Sequence, residues 1–578
     1  MKSVLLFLLL SLSAGLSVAR AQLMNLQKFP AHLQLYARDV QDSALVPVEG
    51  QVLQSDYHSI ELKIFRDGAL WKQADQTLSY QGGAASFAFA PKIYAGLYEY
   101  RFELWLNDTT LAASEDSIVC GDVFLINGQS NSHPNATNYN FRSEFCRSFG
   151  KHTNYSDYDP ADTTWGLSTP RGWCDDCDFA VGTWGLRLQE LILQQFSMPT
   201  CIINGGSGGS TISYNLPDTT DRQNLSTTYG RLLYRATKAH VADHVKAIIW
   251  HQGESDSYPD QADLYAARFD TLYTAWHQDY SPLHKVYVFQ LHPGTCGGDQ
   301  QHRLREIQRQ FKQTYSDVEV MSTVGLVGHD GCHYNDDGYL EMAQWLFRLL
   351  ARDFYNSQDT LNIDAPDIRA VYYQDAGHNA IRIDYDVPVT WPDDTLSASM
   401  ENYFYLDDAF GNVQRGYTTN DGYSVILELK QPSQATLLTY LPNATYNHLP
   451  TKAYEGPWIR GLRGVGALSF YHVPIGEPSG LMFQVPGTFR LRANFPNPFN
   501  MQTKIVFELP AAGDVEMNVF TANGQLVRRL VHGRMASGRH TILWNGKNAA
   551  GQVVASGAYF VQFRWNTWVV VHKMVLVK

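Results

Sequence analysis

The sequence predicts a multidomain chain: a central α/β domain of largely parallel strands, flanked by all-β domains and closed by a C-terminal β-sandwich. Three observations predict it. At roughly 150 residues per domain, a chain of 578 residues holds three or four domains. Between Cys120 and about Tyr355, short apolar runs (123–126, 200–203, 247–250, 286–291 and 318–324) alternate with stretches whose apolar residues recur at three and four. Buried strands alternating with amphipathic helices imply a parallel sheet covered by helices. On both sides of this region, short runs with alternating apolar and polar residues, separated by Gly, Asp and Pro, read as β domains.

The elements follow in order. Lys2, an apolar run over 4–10 and Ala19-Arg20-Ala21 form a charged start, a hydrophobic core and a small-x-small cleavage site, so residues 1–21 are expected to be a signal peptide and the mature chain to start at Gln22. The run is shorter than the roughly 20 residues of a bilayer span, and no later segment is long and apolar enough. Residues 22–117 are expected to be a β domain, with strands over 33–36, 59–65 and 97–105. The α/β domain is placed at 118–357, with helices over 184–195, 262–277, 303–315 and 338–354. A second β domain, a sandwich, is placed at 358–476, with strands over 368–373, 380–385, 424–429, 435–441 and 468–473. A Gly/Pro-rich connection over 474–487 leads to the last sandwich, 487–578, with strands over 504–509, 515–520, 539–544 and 558–564.

Charge and cysteine content narrow the function. A formal charge of -12 without a concentrated Lys/Arg patch argues against a nucleic-acid partner. A neutral or weakly charged substrate fits better. The seven cysteines (Cys120, Cys146, Cys174, Cys177, Cys201, Cys296 and Cys332) cannot all pair within the chain. Cys174-Asp-Asp-Cys177 lacks a second pair at metal spacing, so a disulfide or ordinary thiols are expected there, and no metal.

The chemistry-bearing residues stand where apolar strands end. The first strand runs into Asn127-Gly128-Gln129-Ser130-Asn131, placing a hydroxyl just past the carboxyl edge, where open α/β sheets build their sites. Such a serine is a candidate nucleophile; alone, it is also an ordinary turn residue. The second strand leads into Asn204-Gly205-Gly206-Ser207-Gly208-Gly209-Ser210-Thr211, where glycines let backbone amides approach a ligand and supply an oxyanion donor. No Gly-Lys-Ser/Thr ending follows, which disfavours a phosphate loop. The third strand ends in His251-Gln252-Gly253-Glu254-Ser255-Asp256; the Gln252 amide can serve an oxyanion, while Glu254 either braces the loops or acts as a general acid. Finally, in Gly328-His329-Asp330-Gly331-Cys332-His333, an Asp three residues before a His can fix the imidazole tautomer and leave the other nitrogen to take a serine proton. Asp330 with His333 is the preferred pair, and His329 with Asp336 or Asp337 is its rival.

Gly128-Gln129-Ser130-Asn131, Gly208-Gly209, Gln252-Gly253-Glu254 and Asp330-x-x-His333, in this order, resemble the four sequence blocks of the sialate O-acetylesterase and acetylxylan esterase branch of the SGNH hydrolases, over Gly121 to about Leu349. The resemblance implies a three-layer, flavodoxin-like sheet, no metal or organic cofactor, and removal of acetyl groups from sugar hydroxyls. It makes Ser130 the nucleophile of a triad with Asp330 and His333. Gly209 and Gln252 join the Ser130 amide in the oxyanion hole, with Gly208 as alternative to Gly209 and with Gln129, Asn131 and Glu254 in support. One departure is Ser132-His133-Pro134, where sialate esterases usually continue with Met; it leaves open whether the substrate is acetylated sialic acid, or acetylated xylan or another plant polysaccharide. The segment 136–184, rich in aromatic residues and Asp, reads either as a sugar-facing wall or as a surface elaboration. The rival of another class is a non-catalytic surface glycan-binding protein.

The chain end, with Asn494-Phe495-Pro496-Asn497-Pro498-Phe499-Asn500, Gly524-Gln525-Leu526-Val527, Trp544-Asn545-Gly546 and Ser556-Gly557-Ala558-Tyr559-Phe560, resembles the C-terminal sorting domain of type IX secretion substrates. That resemblance implies the type IX machinery as a partner, and a secreted or surface-attached protein that passes through the periplasm. The alternative is a plain β-sandwich module.

Overall fold

The computed structural model describes residues 23–133, 137–152, 158–170, 177–392, 400–441, 456–478, 490–491, 494, 496–509, 513–521, 523–535, 538–565 and 568–578. The expected signal peptide, Cys174 and most of the 474–487 connection lie outside them. The described residues divide into two compact units, one ending at Asp364 and one starting at Ala365. No described helix is long and apolar enough to cross a membrane.

In the first unit, Met24–Lys28, Val48–Val52 and Ala85–Phe89 form one antiparallel sheet. Ser59–Arg66 pairs with Ala69–Thr77 and Tyr100–Leu106. Alternation turns Val48, Val52, Ile60, Leu62 and Ile64 into one apolar core. The chain then enters β1 (Thr110–Gly128), whose first half pairs antiparallel with Tyr100–Leu106. A register irregularity between Glu115 and Ile118, with Ser117 at φ 58, bends the strand. Its second half becomes the centre of the α/β sheet, so the chain passes from β to α/β structure inside one strand.

That sheet contains β2 (Cys146–Phe149), β3 (Trp165–Leu167), β4 (Thr200–Asn204), β5 (Val245–His251), β6 (Lys285–Phe289) and β7 (Val318–Met321), in the order β3-β2-β4-β1-β5-β6-β7. All pairs are parallel except β2 with β3. The five strands read from apolar runs are all present, and β4-β1-β5-β6-β7 is the 2-1-3-4-5 order of flavodoxin-like sheets. Two short strands from the 136–184 segment, β2 and β3, extend the sheet edge, so part of that segment is sheet rather than decoration.

Five described helices accompany the sheet: α1 (Thr183–Phe196), α2 (Thr228–Lys238), α3 (Pro259–Asp279), α4 (Gln301–Thr314) and α5 (Asp336–Tyr355). Phe124 of β1 meets Phe354 of α5 at 5.9 Å between ring centroids, and Trp250 of β5 meets Trp276 of α3 at 5.4 Å. Helix α2 was not expected. Its inner face carries the buried Arg231 and Arg235, which break the apolar period. The Arg235 guanidinium donates to the carbonyls of Phe149 (2.7 and 2.9 Å) and Asn204 (2.8 Å), closing the ends of β2 and β4.

At the start of the parallel half of β1, the buried Asp122 carboxylate accepts from Arg38 Nε (2.7 Å) and Nη2 (2.9 Å) and from Tyr355 Oη (2.7 Å), and pairs with Lys246 (2.8 Å). Burial pushes this carboxyl up, but the hydrogen bonds and charges of Arg38 and Lys246 outweigh it and hold it below the ordinary value.

In the second unit, Ile368–Tyr373, Ala380–Tyr385, Ser424–Leu429 and Val413–Thr418 form one four-stranded antiparallel sheet. Ala409–Phe410, Phe404–Leu406, Leu437–Tyr440 and Phe470–Pro474 form another. The C-terminal region builds a three-stranded sheet (Arg490–Leu491, Thr503–Leu509, Gly538–Trp544) and a four-stranded one (Leu526–Met535, Gly513–Thr521, Gly557–Trp565, Trp568–Leu576) around a core that includes Phe507, Met517, Trp544 and Phe563. This is the sandwich the sequence predicts.

Asp122→Ala leaves Arg38 and Lys246 without their buried counter-charge and is expected to cost about 3–5 kcal/mol in chemical denaturation of the first unit.

Candidate active site

The site begins where β1 runs out. The Gln129 amide donates to His251 O (3.0 Å), while the amides of Ser132 and His133 return to Gln129 O (2.8 and 3.0 Å), folding 129–133 into one tight turn. Gly128 has φ +138, and a Cβ there would lie 2.2 Å from His251 O and 2.4 Å from Ser132 Oγ; only glycine allows β1 and β5 to end this close together. Ser132 Oγ donates to Asn127 O (2.9 Å) and His251 O (3.0 Å), which gives the residue that departs from the sialate esterase pattern a bracing role. Ser130 stands at the tip of this turn and is 8% exposed.

Asn131 is the junction of the site. Its Nδ2 donates to Glu254 Oε1 (3.0 Å) and to Cys332 O (2.9 Å); its Oδ1 accepts from Tyr339 Oη (2.9 Å), and its carbonyl from Trp184 Nε1 (2.9 Å). One side chain thus connects the Ser130 turn to the loop after β5, to the loop before His333 and to α5.

The glycine-rich loop after β4 lies along the Ser130 turn. Gly205 N donates to Ile126 O (2.8 Å) and Ser207 N to Gly128 O (3.0 Å). Gly209 has φ +65 with open space where a side chain would project, and its carbonyl accepts from Ser255 Oγ (3.0 Å). Gln129 Oε1 collects the amides of Gly253 (3.1 Å) and Ser255 (3.2 Å) and Gln252 Nε2 (3.2 Å). The buried Gln252 Nε2 also donates to Ser210 O (3.1 Å) and Asp256 Oδ2 (2.5 Å), so this amide group is committed to the protein. Asp256 Oδ2 accepts from Ile212 N (2.7 Å) as well, joining the loops after β4 and β5.

The last loop follows β7. Asp330 Oδ1 accepts the amides of Cys332 and His333 (both 2.8 Å), and Asp330 N donates to His333 O (2.9 Å). His333 is half-buried, next to Tyr334 and the Asn335 cap of α5, whose side chain accepts from Gly338 N (3.0 Å). His329 of the rival pair is turned into the core: its ring stacks on His292 at 4.3 Å and its Nδ1 accepts from Gly331 N (3.1 Å). Asp336 accepts from Asn138 N (3.0 Å), and Asp337 is exposed in the first turn of α5.

Burial and then the neighbouring His292 drive His329 down to about 2; burial, His292 and His333 drive His251 down to about 3. Both are neutral around neutral pH. Burial raises Glu254 to about 7, Asp256 adds to the rise, and the Asn131 hydrogen bond opposes it.

Ser130, Gly208 with Gly209, Gln252 with Glu254, and Asp330 with His333 therefore sit on loops following β1, β4, β5 and β7, all at one sheet edge. Among the described residues no group of three or more His, Cys, Asp or Glu side chains is placed to hold a metal ion. Sequence reasoning missed Tyr339, Asp256 and the Cys296–Cys332 disulfide. Asn131 is 208 residues from Tyr339, Ile212 is 44 from Asp256 and Cys296 is 36 from Cys332, so only the apolar spacing of α5 hinted that Tyr339 faces inward. It also passed over Tyr214 and Tyr258, about half exposed on the loops after β4 and β5.

Glu254→Gln keeps an acceptor for Asn131 and removes the ionisation. A carboxyl protonated to about 7 when folded but to about 4.5 when unfolded lowers stability as pH rises between those values, by at most about 1.4 kcal/mol per unit. The variant is expected to lose that slope in denaturation curves recorded from pH 4.5 to 7.

Residues 120–352 match the family model of carbohydrate esterases described as sialic acid-specific acetylesterases, and residues 497–565 match that of the FlgD Ig-like domain. No curated protein sequence matches the chain. Among solved structures, a carbohydrate acetylesterase from Xanthomonas citri is similar at 16% identity and a TM-score of 0.52, over 77% of this chain and 99% of that one. That likeness concerns the fold. A protein from Arabidopsis thaliana aligns over 40% of this chain and 99% of its own, at 18% identity and a TM-score of 0.33.

Proposed function

We propose that this chain is a secreted carbohydrate O-acetylesterase, a serine carboxylic-ester hydrolase with a three-layer SGNH catalytic domain. The observation that carries the reading is the Asn131 junction, which ties the Ser130 turn to the Cys332 carbonyl, one residue before His333. The carbohydrate esterase model matched by 120–352 supplies the substrate class.

In this reading His333, oriented by Asp330, takes the Ser130 proton as Oγ attacks the acetyl carbonyl. The backbone amides of Ser130 and Gly209 bind the oxyanion. Gln252, assigned to that hole by the sequence blocks, acts from behind, since its amide holds Gln129, Ser210 and Asp256 in place. As the tetrahedral intermediate collapses, the acyl C–O bond breaks and the leaving sugar oxygen takes the proton from His333, giving an acetyl-enzyme that water then hydrolyses with the same base.

The leader and the C-terminal sandwich belong to the same proposal: export to the periplasm, then passage by the type IX machinery to the medium or the cell surface. Acetylated sialic acid and acetylated xylan or another plant polysaccharide remain the two substrate branches, and a non-catalytic glycan-binding protein is the reading of another class.

Ser130→Ala is expected to lose at least about 10³-fold in kcat on an aryl acetate with its circular dichroism unchanged. Acetate release from acetylated xylan and from O-acetylated sialic acid then selects the branch. A variant that turns over at the wild-type rate refutes the assignment, and a folded wild type that releases no acetate turns the reading to glycan binding.

A further inference from the structure

We infer that the Cys296–Cys332 disulfide is a positioning element of the acid–base loop, so that turnover depends on its oxidised state. The inference rests on the esterase reading above. Cys332 lies between Asp330 and His333 and is bonded on every side: its amide donates to Asp330 Oδ1 (2.8 Å), its carbonyl accepts from Asn131 (2.9 Å), and its sulfur is joined to Cys296. The segment carrying Cys296 is laid against the same turn, with the amides of Thr295 (3.1 Å) and Cys296 (3.0 Å) both donating to Gly331 O. Gly294 approaches so closely that a Cβ there would lie 2.6 Å from that carbonyl.

The exposure of these groups makes the bridge a control point. The turn is held at its two ends, where His329 and Tyr334 are buried and packed ring to ring at 4.6 Å, while Asp330 between them is exposed and Cys332 and His333 are half-buried. Each of the remaining hydrogen bonds contributes modestly beside water. Without the bridge, the amide hydrogen bonds of Thr295 and Cys296 to Gly331 O still join the 294–296 segment to the turn, and His333 is one residue from the break. The bridge is itself accessible, since Cys296 and Cys332 are both half-buried. Cys120, Cys146 and Cys201 are free thiols in the interior, pushed up to about 12 by burial, and are poor partners for exchange.

Reduction by a dithiol balances without any other reactant. One thiolate of dithiothreitol attacks a bridge sulfur and forms a mixed disulfide, and the second closes on the first. The reagent leaves as its cyclic disulfide, and Cys296 and Cys332 each gain a proton and become thiols.

The test uses the full mature chain and an aryl acetate. Dithiothreitol is expected to lower kcat at least about tenfold, as a displacement of about 1 Å in a catalytic group does, with KM changing less than about twofold and activity returning on reoxidation. Cys296→Ala is expected to match the reduced enzyme and to ignore dithiothreitol, which separates this bond from any other cysteine pair. Amide hydrogen exchange, which needs no turnover, is expected to rise across 328–335 on reduction and to stay unchanged across 123–129. Wild-type kcat in Cys296→Ala overturns the inference, as does unchanged exchange at 328–335. If the oxidised wild type has no esterase activity but exchange rises, the esterase reading fails and the coupling of bridge to loop stands.

Discussion

The constraint on which the rest depends is the single strand Thr110–Gly128. Its parallel half is hydrogen-bonded on both edges, to β4 and β5, and is buried throughout. A chain leaving the centre of such a sheet has little freedom, and Gly128, squeezed between His251 O and Ser132 Oγ, fixes where it goes. The Ser130 turn is therefore set first by the backbone and then braced by the side chains of Gln129, Asn131 and Ser132. The same strand carries the Asp122 ion cluster at the opposite end of its parallel half, so it is anchored by charge at one end and by close packing at the other.

Around that fixed turn the site is assembled from polar groups that are individually modest. Asn131, Gln129 and Asp256 each accept or donate across loops far apart in sequence, and the order of the site lies in their agreement. The electrical setting is set mainly by burial. Burial keeps His251 and His329 neutral and holds Glu254 protonated to about 7.

Much of this was legible in the sequence, for physical reasons. Apolar runs of four or five residues ending in Gly or a polar cluster mark buried parallel strands, and five such runs are the five parallel strands β1 and β4–β7. The residues after them were picked for their chemistry, and the fold brings those loops to one edge. What was not legible depends on three-dimensional pairing. The strand Cys146–Phe149 has no apolar run, and α2 hides its period behind Arg231 and Arg235, whose charges are buried. The commitment of the Gln252 amide to Asp256 and Ser210 follows from loop packing, as does the choice of Cys332 as the partner of Cys296 among seven cysteines.

The central claim is that Ser130 becomes acylated during turnover. The direct measurement is intact-protein and peptide mass spectrometry after rapid quenching of the mature enzyme with excess aryl acetate. The account predicts one acetyl group per chain, carried by the peptide that contains Ser130 and absent from Ser130→Ala. Acetate release that proceeds with no acetylated peptide, or with the acetyl group on another residue, would contradict it.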